Sequence, residues 1–153
     1  MEVTSPPPSA STSRDRTLMD VGLLVLRVGI GFMFILHGAT KIGAGSETWQ
    51  NVGSAMQYIG ITFGYQAWGF VAGLAELVGG FALMLGLFTR PFAVVLLFVM
   101  VVASIMLIAS GQPSSKWSHP VELGVVFVAI ALMGPGRYSL RQAIVPLRDR
   151  WYA

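Results

Sequence analysis

Residues 67–88 read AWGFVAGLAELVGGFALMLGLF, an apolar run broken by one charge, Glu76. At 1.5 Å per residue the run covers about 33 Å, enough to cross the roughly 30 Å hydrocarbon core of a bilayer as one helix. An ionisable residue at the centre of such a span costs roughly 2.5 to 3.5 kcal/mol on insertion scales, so a chain that keeps one has a use for it. Comparable stretches lie at 18–36 and 92–109, and a shorter one runs from Val121 to Met133. The short one covers only about 20 Å. It therefore needs Ser118 to Pro120 or Gly134 to complete it, or a locally thinned bilayer. The reading is all-α: a polytopic four-helix transmembrane bundle with spans at about 20–38, 67–88, 91–109 and 119–134, a membrane domain of residues 20–136.

Composition agrees. The 153 residues are 54% hydrophobic and 11% charged, with a mean hydropathy of +0.69, whereas soluble domains carry about 25% charged residues. Cysteine is absent, which removes thiol relays, disulfide exchange and thiolate-held clusters from the activities of this chain alone. The net charge of +3 and pI near 9.7 do not point to nucleic acid, because the basic residues flank the spans. Arg14 and Arg16 precede the first, Arg90 lies between the second and third, and Arg137, Arg141, Arg148 and Arg150 follow the fourth. Only Lys41 and Lys116 lie on the other side. The positive-inside rule then puts both termini in the cytoplasm of a multi-pass inner-membrane protein. Residues 1–19, rich in Ser, Thr and Pro, read as a disordered cytoplasmic tail. A cleaved signal peptide is not expected, because the first apolar run is long for one and carries Arg27.

The connections add detail. Thr89-Arg90-Pro91 is so short that the spans it joins must be antiparallel neighbours, with Pro91 suited to the first position of a helix. Trp49, Val52, Met56, Ile59 and Phe63 recur near helical spacing after Thr48, a candidate N-cap, and suggest an amphipathic segment on the outer interface. Gly134-Pro135-Gly136 stops the fourth span, and Ser139 can cap a further helix. There Leu140, Ile144, Leu147 and Trp151 form an apolar stripe beside Arg141 and Arg148, making residues 137–153 a cytoplasmic interfacial tail.

Two ionisable residues lie inside spans, Arg27 and Glu76. Counted from the outer ends, His37 and Ala67, they fall at nearly the same depth, about 15 Å down. An intramembrane ion pair or a ligand site between them follows as the expectation. Gly31, Gly69, Gly73, Gly79 and Gly80 lie around that level and suit close helix packing. At the outer mouth His37, Lys41, His119 and Glu122 form a second candidate cluster. Arg27, Gly31, Phe34, Gly38 and Lys41 share one helical stripe, so the arginine and the lysine can line a common cleft. Each outer residue also has an ordinary reading: Lys41 snorkels, His37 sits at headgroup level, and Glu122 favours a helix N-terminus. No metal site is expected, given two histidines without metal-ligand spacing and no cysteine. Asp15, Asp20 and Asp149 lie too far from His37 and His119 for a Ser-His-Asp arrangement.

Taken in order, Arg27-Val28-Gly29, His37-Gly38-Ala39-Thr40-Lys41, Gly73-Leu74-Ala75-Glu76-Leu77-Val78-Gly79-Gly80, Leu85-Gly86-Leu87-Phe88-Thr89-Arg90, Glu122 and Gly134-Pro135-Gly136-Arg137-Tyr138-Ser139-Leu140 resemble the DoxX family of small bacterial and archaeal membrane proteins. The likeness runs from about residue 20 to 141. The family often has Asp where this chain has Arg141. The resemblance implies a four-helix membrane protein, related to a subunit of thiosulfate:quinone oxidoreductase, with Arg27, His37, Lys41, Glu76 and Glu122 as the positions carried over. The functional expectation is a redox-associated subunit that binds a quinone or similar small amphiphile, with no covalent cofactor. Its partners would be the bilayer, a soluble redox protein and further copies of itself. The alternatives are a non-catalytic scaffold or assembly factor and, third, a small-solute carrier.

Overall fold

The computed structural model describes residues 10–144. Four helices are long and apolar enough to cross a membrane: α1 (Ala10–Gly43), α3 (Tyr65–Leu85), α4 (Thr89–Ala109) and α5 (Ser114–Met133). Between α1 and α3 come a short helix, α2 (Ser46–Gly53), and a 3-10 helix over Ser54–Ile59. A final short helix, α6 (Leu140–Ile144), follows α5. The chain is a multi-pass membrane protein with an all-α four-helix bundle.

Several boundaries differ from those read in the sequence. The helix of the first span starts at Ala10, so the tail expected to be disordered is helical from there on, while residues 1–9 lie outside the described residues. Pro8 is the last proline before it, and the following Ser, Thr and Arg residues put no break in the way; Thr17 Oγ1 donates back to Ser13 O at 3.0 Å. α5 begins at Ser114, behind Pro113, and its 20 residues cover about 30 Å. The fourth span therefore needs no thinned bilayer. Pro120 lies inside α5 as its seventh residue, so the N–H it lacks leaves the carbonyl of Lys116 without its helical partner. α4 begins at Thr89 rather than Pro91, leaving the proline in its first turn. Of the expected 137–153 tail, residues 137–144 are described, ending in α6; Leu147 and Trp151 fall outside the described residues.

The bundle order is α1–α3–α4–α5, with α3 packed most extensively on α1 and α4 on α5. The stripe read along the first span is the buried face of α1: Arg27, Gly31, Phe34 and Gly38 are buried and Lys41 half-buried. Glycines bring α1 and α3 together. A Cβ on Gly31 would lie 2.6 Å from Gly80 O, and one on Gly38 would overlap the backbone of Gly73 and Leu77. Such close backbone approach stabilises helix pairs in lipid, where burial of apolar surface supplies little driving force. Gly79 meets Leu96 of α4. Phe34, Leu83, Ala93, Leu96, Met100, Phe127 and Ile130 make a core contributed by all four spans, with Phe34 and Phe127 edge to face at 5.0 Å. Large apolar side chains such as Val25, Val125 and Leu132 point outward, the pattern a lipid-facing surface requires.

α3 ends in a left-handed Gly86, with Gly86 N–H donating to Leu83 O and Leu87 N–H to Ala82 O. This pairing closes a helix C-terminus and needs a residue without Cβ at that φ. The chain then turns within three residues into α4.

Candidate functional site

Glu76 is 1% exposed, deep in the bundle, and its partner is Lys41. Lys41 Nζ lies 2.5 Å from Oε1 and 2.6 Å from Oε2 of Glu76, so one ammonium donates to both carboxylate oxygens. The expected Arg27–Glu76 pair does not form. Glycine contacts set the register between α1 and α3, placing Arg27 level with Leu83, about 10 Å further along α3 than Glu76. Side-chain direction then separates the two charges. In antiparallel helices each Cα–Cβ bond tilts toward its own N-terminus, so Arg27 points away from the α2 end while Glu76 points toward it. The same tilt brings Lys41 back toward Glu76: Lys41 Cβ packs on Gly73, 3.3 Å from where a Cβ there would stand, one turn before Glu76. Depth estimated from sequence overlooked this direction.

Arg27 has another role. It is 1% exposed, and it donates from Nη1 to Leu83 O at 3.3 Å and from Nη2 to Tyr138 O at 2.8 Å. The cation thus sits at the C-terminus of α3, where the helix dipole favours positive charge, and ties that end to the turn before α6. Ser139, expected as a cap, keeps its Oγ buried without a partner among the described residues, as does Thr89 Oγ1. Nearby, Asp20 Oδ1 accepts from Arg137 N–H at 3.2 Å, fastening the same turn to α1.

The outer-mouth cluster does not assemble around Lys41. His37 lies on the exposed side of α1 and meets the edge of Phe34 at 6.2 Å. His119 and Glu122 are exposed on α5 and bond to neither Lys41 nor His37. Among the described residues no three His, Asp or Glu side chains gather as a metal site.

The segment after α1 does more than lie on an interface. α2 starts at Ser46 with Gly45, not Thr48, at the N-cap position. It packs along α3, with Trp49 edge to face on Phe70 at 5.0 Å and Trp49 Nε1 donating to Lys41 O at 2.9 Å. Gly53 abuts Tyr65 O and Gly69 abuts Trp49 O, contacts with no room for a Cβ. The 3-10 helix continues inward and touches both α3 and α4. Ala55 and Met56 are buried there against Val102, with Ile61, Trp68 and Met106 around them. Ile59 and Phe63 stay exposed.

This wedge leaves a cavity of about 320 Å³ between α3 and α4. Its wall is apolar (Val52, Met56, Trp68, Ala72, Val99 and Met106 among others), and Lys41 and Glu76 supply its charged groups. The pair leaves hydrogen-bonding capacity over: an ammonium has three N–H groups and a carboxylate about four lone-pair sites. The cavity therefore offers a donor and an acceptor side by side at one point on an apolar surface, the arrangement of a small-molecule site with few orienting polar groups.

The DoxX family profile matches residues 22–109. The chain belongs to the DoxX family. Both members of the polar pair and most of the cavity wall fall within the matched stretch of this DoxX protein. It is 36% identical over 95 residues to an uncharacterized protein of Haemophilus influenzae, a stretch covering 59% of this chain and 61% of that protein. The chain thus matches less than two thirds of that relative's length. No solved structure matches this DoxX protein.

Sequence reasoning singled out Lys41 and Glu76 separately but not as partners. The glycines carried the missing signal: Gly31 with Gly80 and Gly38 with Gly73 fix one antiparallel register. The cavity had no comparable signal, because it depends on the 3-10 helix turning inward.

Proposed function

We propose that this DoxX protein binds the head of a quinone or similar small amphiphile in the α3–α4 cavity, oriented by Lys41 and Glu76. The observation that carries the reading is an apolar cavity of about 320 Å³ with one donor–acceptor pair in its wall. A quinone carbonyl would accept from the free N–H of Lys41, and a quinol hydroxyl would donate to Glu76. Both redox forms of one head would then find a partner. Reduction of such a quinone to the quinol would draw its two electrons from a soluble redox partner and its two protons from solvent, with Glu76 as the group that exchanges a proton with the head. In this reading the α2 end faces the outside of the inner membrane and the Arg-rich end the cytoplasm, as the positive-inside rule directs.

Trp68 lines the cavity and makes binding directly measurable, since quinones quench indole fluorescence. Titration of decylubiquinone into the protein in lipid discs should give saturable quenching that is lost in Trp68→Phe. Glu76→Gln should weaken it about tenfold, the effect of losing one hydrogen bond to a charged group, about 1.5 kcal/mol. Quenching that rises linearly with quinone and is unaltered by Glu76→Gln would reject the site.

A second reading, a non-catalytic scaffold, draws on Arg27. Among the described residues its hydrogen bonds go to backbone carbonyls of α3 and the α6 turn, a fastening role. Under that reading Glu76→Gln would lower the yield of folded protein and leave quinone quenching non-saturable throughout.

A further inference from the structure

We infer that the cavity fills from the side, through a slot between α3 and α4 that opens to the bilayer, so its ligand is a membrane-dissolved molecule with an uncharged head and an apolar tail. Three cavity-lining residues are also strongly exposed on the outside of the bundle: Val71 on α3 at 50%, Val95 at 41% and Phe98 at 53% on α4. A side chain that borders a cavity and the surrounding medium at once marks an opening, and here the surrounding medium is hydrocarbon. The end facing water is closed. Ala55 and Met56, 6% and 7% exposed, plug it against Val102. The glycine contacts of Gly53 and Gly69 hold α2, which leads directly into that plug, against α3 backbone to backbone.

The charge of the site selects among lipids. Lys41 and Glu76 cancel, so an anionic or a cationic head would give up its hydration on entering an apolar cavity that holds no net opposite charge to offset the loss. A neutral head with an acceptor and a donor loses nothing. The tail would leave past Phe98 and Val71, both apolar, into the leaflet on the α2 side. This rests on the amphiphile reading for the identity of what enters; the route itself can be tested with no ligand at all.

The chain has no cysteine, so a single introduced thiol reports on one place. Ala72→Cys puts it in the cavity wall and Val125→Cys, at a 67% exposed position of α5, on the lipid face away from the slot as a calibrant. The protein in phosphatidylcholine–phosphatidylglycerol discs is treated with pyrenylmaleimide, which dissolves in the bilayer, or with a sulfonated maleimide, which stays in water. Lateral entry predicts that Cys in place of Ala72 reacts with pyrenylmaleimide within about threefold of the calibrant rate and at least tenfold faster than with the sulfonated reagent. Adding Phe98→Trp should slow the first reaction at least fivefold and leave the calibrant unchanged. Equal rates with both reagents would establish an aqueous route, and no reaction beside a reactive calibrant would establish a sealed void; either overturns the inference. Ala103→Cys, on the facing wall, serves if Ala72→Cys does not fold. Failure of quinone to quench Trp68 would reject the ligand while leaving the route standing, so the two results separate.

Discussion

Removing Lys41 alone from the Lys41–Glu76 pair should be far worse than removing both charges, and far worse than removing the charge of Glu76 alone. The side chain of Glu76 is 2% exposed and that of Lys41 29%. Lys41→Met therefore strands a carboxylate that cannot reach water. Breaking a buried pair in this way costs about 3 to 5 kcal/mol. Glu76→Gln keeps the shape and leaves Lys41 free to extend toward the α2 end, so the cost should be about 1 to 2 kcal/mol, near that of one charged hydrogen bond. In Lys41→Met/Glu76→Gln no charge remains. The double variant should lie within about 1 to 2 kcal/mol of wild type, a coupling of about 3 to 5 kcal/mol between the sites. Equilibrium unfolding in mixed micelles, followed by tryptophan fluorescence, gives all four corners of the cycle. Additive single effects, or Glu76→Gln costing more than Lys41→Met, would refute both the pairing and the burial asymmetry.

Two further variants probe the frame that holds the site. Gly38→Ala places a methyl on the backbone of Gly73 and Leu77; α1 and α3 must separate, and unfolding in micelles should show a loss of about 1 to 3 kcal/mol, whereas a neutral result would contradict the close approach. Arg27→Met removes both bonds that tie α3 and the α6 turn together. Amide exchange over residues 135–142 should accelerate at least tenfold, with exchange around Glu76 unchanged, and Arg27→Lys should not restore protection because a lysine lacks the planar two-acceptor fork.

Much of the fold was legible because lipid imposes simple demands. Every span must be a long apolar helix, so four stretches of hydropathy were enough to give the bundle. The short connection read at Thr89-Arg90-Pro91 made α3 and α4 antiparallel neighbours, although the turn itself lies at Gly86–Phe88 and those three residues belong to α4. Boundaries were harder, since the polar starts of α1 and α5 at Ala10 and Ser114 carry no hydropathy signal. The stripe Arg27, Gly31, Phe34, Gly38 and Lys41 named the buried face of α1, yet the charge partners were misassigned. Depth is a scalar, whereas side chains have direction, and the opposed tilts of antiparallel helices decide which charges meet. The least legible part was the cavity. Periodicity showed that Trp49, Val52 and Met56 share an apolar face, but a change from α to 3-10 geometry at Ser54 sends the chain between α3 and α4. That depends on tertiary packing and on the glycines at 53 and 69.

The central claim is that a neutral amphiphile occupies the cavity beside Lys41 and Glu76. Native mass spectrometry of the protein in native-lipid discs, with extraction and identification of what it retains, tests this most directly on wild type and on folded Glu76→Gln. The account predicts a quinone or similar neutral amphiphile held by wild type near one per chain and depleted at least fivefold in Glu76→Gln. The same small molecules at equal occupancy in both samples, or none above the bulk lipid of the discs, would contradict it.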